Sequence, residues 1–97
     1  MVGKIIIMIR DELTHILGEE LRFLAIKTRN RLNITQREMG EILQMSESSY
    51  SDIETGKNKC GTLTAVLLIS MQDDPKHFLK NVNEEFEKWY EGEMLPI

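Results

Sequence analysis

Few residues of this chain carry acid–base, nucleophilic or metal-binding chemistry, and their spacing does not assemble them. His15 and His77 are far apart, and HxxxH, CxxC and glycine-rich phosphate loops are absent. The carboxylate pairs Glu19-Glu20 and Glu84-Glu85 are adjacent in sequence, so on a helix they point in different directions and read as solvated faces rather than as an acid/base pair. Cys60 follows Lys57 and Lys59, cations that would lower a thiol pKa and make a redox sensor; the plainer expectation is an incidental loop thiol. A single cysteine forms no internal disulfide and favours a reducing compartment, hence a cytoplasmic location. No enzymatic activity, metal or cofactor is expected.

The informative chemistry is that of capping and hydrogen bonding, concentrated in residues 35–56, TQREMGEILQMSESSYSDIETG. Thr35 with Glu38 is a T-x-x-E capping box, in which hydroxyl and carboxylate satisfy amides that a helix start leaves unpaired. A helix therefore begins at Gln36 and runs to Leu43, with Met39, Ile42 and Leu43 at three- and four-residue spacing on its buried face and Arg37, Glu38 and Glu41 outside. Gln44 and Met45 separate it from Ser46, a second N-cap, which opens a helix to Thr55. Tyr50 and Ile53 are its apolar pair, and Gly56 suits a left-handed cap. Two short helices joined by so few residues cross at about 90–120°.

The segment resembles the phage repressor and Cro family of helix-turn-helix proteins, also called the xenobiotic-response-element family of bacterial regulators. The matching residues are Thr35, Gln36, Met39, Gly40, Leu43, Ser46, Ile53, Glu54 and Gly56, with Leu17 to Arg22 and Arg29 upstream and Thr62 to Met71 downstream. The resemblance spans about residues 13–72 and implies an all-α fold, a four- to five-helix bundle of the lambda-repressor-like type. Two departures are visible: Gln44 stands where the family favours glycine in the turn, and Cys60-Gly61 where it commonly has proline. The resemblance further implies an ion pair between Arg29 and Glu54, and it makes Glu47, Ser48, Ser49 and Asp52 the presented positions of the recognition helix. Carboxylates accept from the cytosine amino group and serine serves several bases, so these residues are candidates for base reading. Phosphate contacts are expected from Gln36, Arg37, Lys57, Asn58 and Lys59 and from amides at the start of the second helix.

The elements that position this motif are legible on both sides. Residues 11–72 form the DNA-binding domain, opened by a helix from about Asp11 with the stripe Leu13, Ile16, Leu17, Leu21 and Leu24 and closed by the cations Lys27, Arg29 and Arg31. That cluster also reads as the best phosphate-binding surface in the chain. Residues 1–10 are an extension whose Ile5–Ile9 run is too short to span a bilayer and lacks a small-residue cleavage site. It reads either as a short strand pairing with another subunit or as a disordered start-site extension. Residues 73–97 hold an amphipathic helix, capped by Asp74 ahead of Pro75, with Phe78, Val82, Phe86 and Trp89 on its apolar side and its end near Gly92. That face reads either as packing on the chain's own core or as lying partly, at Phe86 and Trp89, in a homodimer interface.

Charge sets the limits. Twelve Lys and Arg against sixteen Asp and Glu give −4, unusual for a nucleic-acid domain, but residues 17–32 carry net +2 while residues 62–97 carry net −4. The acidic part should face away from a duplex. The expected function is a sequence-specific DNA-binding transcriptional regulator, of repressor type, acting as a homodimer on a two-fold operator. The alternative is an antitoxin or anti-repressor that uses the same fold to hold a protein partner. No membrane association is expected.

Overall fold

A computed structural model describes the backbone of residues 2–94 and the side chains of residues 9–92. Five helices follow in order: α1 Val2–Leu32, α2 Gln36–Ile42, α3 Glu47–Thr55, α4 Thr62–Ser70 and α5 Pro75–Met94. No strand occurs among the described residues. The bundle is all-α, as the motifs implied.

Helix α1 is the spine. Its 31 residues correspond to about 46 Å at 1.5 Å per residue, and the molecule measures 48 Å along its longest axis. The expected strand or disordered segment in residues 1–10 is a correction: from Val2 these residues continue α1. Nucleation is the costly step of helix formation, and β-branched residues added to an existing helix lose only a little side-chain freedom.

Two apolar clusters hold the helices on this spine. Ala25 of α1, Met39 and Leu43 at α2, Tyr50 and Ile53 of α3 and Leu68 of α4 form the first. Ile16 and Leu21 of α1 with Phe78 and Val82 of α5 form the second, and Leu24 and Cys60 pack against both. Polar ties supplement them: Gln72 donates to the buried Thr28 hydroxyl at 2.9 Å, and Arg31 donates to the Met71 carbonyl at 2.8 Å. Thus the α4–α5 link is fastened to α1.

One core expectation fails. Ile42 is 49% exposed because Met39, Gly40 and Leu43 centre the buried face of α2 on their own side and leave Ile42 beyond its edge. The apolar stripe of α1 is also uneven, Leu13 and Leu17 remaining partly exposed.

Candidate nucleic-acid interface

Local rules set the helix ends around the site. The Thr35 hydroxyl accepts from the Glu38 amide at 3.1 Å, and Glu38 accepts from the Thr35 amide at 3.2 Å, closing the capping box. The Ser46 hydroxyl accepts from the Ser49 amide at 3.1 Å and starts α3. Gly56, at φ 79°, stops it. Between the helices Gln44 takes φ 60°, a left-handed conformation that a side chain adopts at a cost. Gly40 must be small here: a Cβ on it would lie 2.8 Å from the Met45 carbonyl oxygen. The close approach lets the Met45 amide donate to the Gly40 carbonyl at 2.8 Å and folds the turn tightly back on α2.

Beneath the turn lies a charged anchor. Arg29 donates through Nε to Glu54 Oε2 at 2.6 Å and through Nη2 to Oε1 at 3.1 Å, while its Nη1 donates to the Ile34 carbonyl at 3.1 Å. Gln36 adds a donation from Nε2 to Glu54 Oε1 at 3.1 Å. Burial pushes the Glu54 carboxyl up, but hydrogen bonds from Arg29 and Gln36 outweigh it and hold the group below its usual range. The same pairing raises Arg29 further, and burial, with Glu54 beside it, raises Tyr50 strongly. The Tyr50 hydroxyl donates to the Ala25 carbonyl at 3.2 Å, fixing α3 to α1.

This anchoring redistributes the residues singled out in the sequence. Of the cation cluster ending α1, Arg29 serves Glu54, and Arg31 serves Met71 and, at 3.8 Å, Asp73. That cluster is therefore largely committed to holding the fold. Gln36 is half-buried and tied to Glu54 through its side chain. Arg37, Lys57 and Lys59 are exposed; the ion pair of Arg37 with Glu41 at 3.7 Å is solvated and weak.

On α3, Glu47 and Ser48 are exposed. Ser49 is exposed but accepts a hydrogen bond from the Ser46 hydroxyl at 2.9 Å, and Asp52 is half-buried and accepts from Asn58 Nδ2 at 3.3 Å. Asn58 and Asp52 thus restrain each other across the end of the helix. A shallow open depression between α2 and α3 is lined by Gln36, Glu47, Ser48, Ser51 and Asp52. Ser51 was not singled out in the sequence; its i+3 spacing from Ser48 is the signal that places it on this face.

Of the two carboxylates on the presented face of α3, Asp52 accepts from Asn58 and Glu47 stands exposed. Cys60 departs from the redox-sensor reading: it packs against both apolar clusters, and burial pushes its thiol up. A raised pKa disfavours the reactive thiolate.

Among the described residues no group of His, Cys, Asp and Glu is arranged to hold a metal, and no helix is long and apolar enough to cross a membrane. Phe86 and Trp89 sit on α5 with ring centroids 5.7 Å apart. Both are half-buried, Phe86 against the second apolar cluster and Trp89 in a groove facing α1.

No curated protein and no solved structure matches the chain. The HTH_3 helix-turn-helix family model matches residues 26–69, from the second half of α1 to the end of α4. The matched segment contains the anchor, the capped α2, the turn and α3. Residues 26–69, a little under half of the chain, are accordingly similar to that helix-turn-helix family.

Proposed function

We propose that the chain is a sequence-specific transcriptional regulator that binds a two-fold symmetric operator as a homodimer. Helix α3 enters the major groove and α2 crosses the backbone, with the two α3 helices of a dimer about 34 Å apart. The observation that carries this reading is the outer face of α3: Glu47, Ser48, Ser49 and Thr55 are exposed, and no segment of the described chain covers them. Glu47 and Ser48, with Ser51 beside them, take the base-reading role, whereas Ser49 and Asp52 each already accept one internal hydrogen bond, which restrains them and leaves Ser49 its proton and Asp52 its other oxygen for a base. Arg37, Lys57, Asn58 and Lys59 contact phosphates. Arg29 and Glu54 support the motif from below.

Affinity in this scheme comes from a small number of cations and from dimerisation, because the chain as a whole is acidic. The acidic α5 faces away from the duplex, and Phe86 and Trp89 mark the C-terminal side as the place where copies meet. Selection of bound duplexes from a random pool, followed by fluorescence titration at low salt, tests the reading. A palindromic site bound far above random DNA supports it. Binding no tighter than to random duplex at any salt refutes it.

A further inference from the structure

Arg22 lies outside residues 26–69, which the helix-turn-helix family model matches, yet its side chain ends on α3. Nη1 donates to the Glu54 main-chain carbonyl at 3.2 Å, across 32 residues of chain. The last carbonyls of a helix find no partner within it. In α3 those of Asp52 and Ile53 accept from the Asn58 and Gly56 amides at 3.1 and 3.2 Å, and that of Glu54 accepts from Arg22. A cation at this end also suits the negative pole of the helix dipole. The arginine is itself held in place. Nε donates to Glu19 Oε2 at 3.1 Å, Nη2 lies 3.1 Å from the same oxygen, and Cζ stands 4.6 Å from the centroid of the Phe23 ring. One edge of the fork is thus taken by Glu19, and Nη1 is left to Glu54. The aliphatic stem runs over Gly56, where an added Cβ would meet Arg22 Cδ at 3.5 Å. Arg22 therefore touches both the end of α3 and the start of the loop that carries Lys57 and Lys59.

We infer that Arg22 is a positioning residue for base reading, one that fixes the angle of α3 without touching DNA. The inference rests on the regulator reading above and adds to it a residue of α1. Arg22 and Arg29 are seven residues apart, about two turns, and so share a face of α1. Arg29 holds the carboxylate of Glu54, and Arg22 holds its main-chain carbonyl. The first contact acts through a side chain with its own rotations; the second grips the backbone, so it sets the direction in which the helix ends. Hydrogen bonds to base edges weaken steeply when misaligned, whereas phosphate contacts carry no sequence information. Loss of Arg22 therefore costs specific binding and spares random binding.

Arg22→Met, which keeps the stem over Gly56 and removes the fork, and Arg22→Lys, which keeps the charge, test the assignment in the full chain. Fluorescence titration should show the selected duplex bound about tenfold more weakly by Arg22→Met and about threefold more weakly by Arg22→Lys, the scale of one lost or weakened hydrogen bond. Random duplex should be bound within about twofold of wild type, with the same salt slope. Hydrogen exchange in the absence of DNA reads the same contact independently: the Gly56 and Asn58 amides should exchange about tenfold faster in Arg22→Met. Thermal melting by circular dichroism identifies a variant that fails to fold, and if Arg22→Met does so, Arg22→Lys decides. Selected and random binding that fall together overturn the inference, and a salt slope lower by about 0.9 would then mark Arg22 as a phosphate contact. Selected binding as tight as wild type overturns it too, as does unchanged exchange at both amides. A wild type that prefers no duplex refutes the regulator reading; faster exchange in Arg22→Met then leaves the hold on α3 standing, and unchanged exchange removes it as well.

Discussion

Arg29 holds Glu54 by a two-pronged contact, Nε to Oε2 at 2.6 Å and Nη2 to Oε1 at 3.1 Å, joining the end of α1 to the end of α3 across 25 residues of chain. Arg29 is 22% exposed and Glu54 8% exposed, so solvent screens the pair only in part. Through Gln36 the same carboxylate also reaches the first residue of α2. One ion pair therefore fixes three helices relative to one another.

Removing that charge should loosen all three. Glu54→Gln leaves Arg29 facing a neutral amide, and because Arg29 retains some solvent the expected loss is about 2 kcal/mol rather than the ~3–5 kcal/mol of a fully buried pair. For a domain of this size that lowers the melting temperature by roughly 8–16 °C. The pH dependence has a definite sign. Glu54 is held below its ordinary value, so the unfolded chain binds the proton first as pH falls. The stabilisation is complete above about pH 4.3, the unfolded carboxylate value, and is lost as pH falls through the lower folded value. Urea titrations of wild type and Glu54→Gln between neutral pH and pH 3 should therefore converge toward the acid end.

The turn makes a steric demand at Gly40. Gly40→Ala places a Cβ 2.8 Å from a backbone oxygen, where only backbone movement relieves the clash. A loss of about 2 kcal/mol is expected, measured as a lower urea midpoint with unchanged slope. A Gly40→Ala chain as stable as the wild type would show that the turn is less tight than described here.

Gln44 makes the opposite demand, since its φ of 60° is one that glycine adopts without strain. Relief of about 1–2 kcal/mol, offset by about 0.5–1 kcal/mol from a freer unfolded chain, gives a small gain for Gln44→Gly. Its melting temperature should rise by a few degrees.

How much of this was legible in the sequence depends on the range of each interaction. The capping box of Thr35 and Glu38, the Ser46 cap and the Gly56 stop depend on residues within one turn, and each can be read from its own neighbours. The 25-residue pairing of Arg29 with Glu54 has no local signature and entered only through family resemblance. Ile42 was misplaced because the spacing of apolar residues does not show that Gly40 is also buried and shifts the buried face of α2 away from Ile42. The Val2–Arg10 segment was misread because β-branched runs suit strands as well as the extension of an existing helix. The outer face of α4 was invisible for another reason: with six of its nine residues apolar, on all sides of the helix, periodicity does not single out the side left in water. At the site, side-chain partners such as Asn58 for Asp52 and Gln36 for Glu54 depend on the fold and could not be foreseen from spacing.

Lys57 and Lys59 are exposed on the loop that follows α3, with no ion pair described for either. Each lysine that neutralises a phosphate contributes about 0.9 to the slope of log K against log salt. Replacing both by alanine should lower the slope by about 1.8 per protomer and weaken specific and random DNA alike. A titration series from low to moderate salt measures both effects; an unchanged slope would remove these lysines from the interface.

The most direct test of the central claim, that the outer face of α3 reads bases, is a paired selection from random duplexes with the wild type and Glu47→Gln. Glutamate accepts from the cytosine amino group, whereas glutamine pairs in two-pronged fashion with adenine. The selected site is expected to change at one position in each half, with the half-site spacing and the remaining bases retained. Identical selected sequences for the two proteins, or selected sites lacking two-fold symmetry, would contradict it.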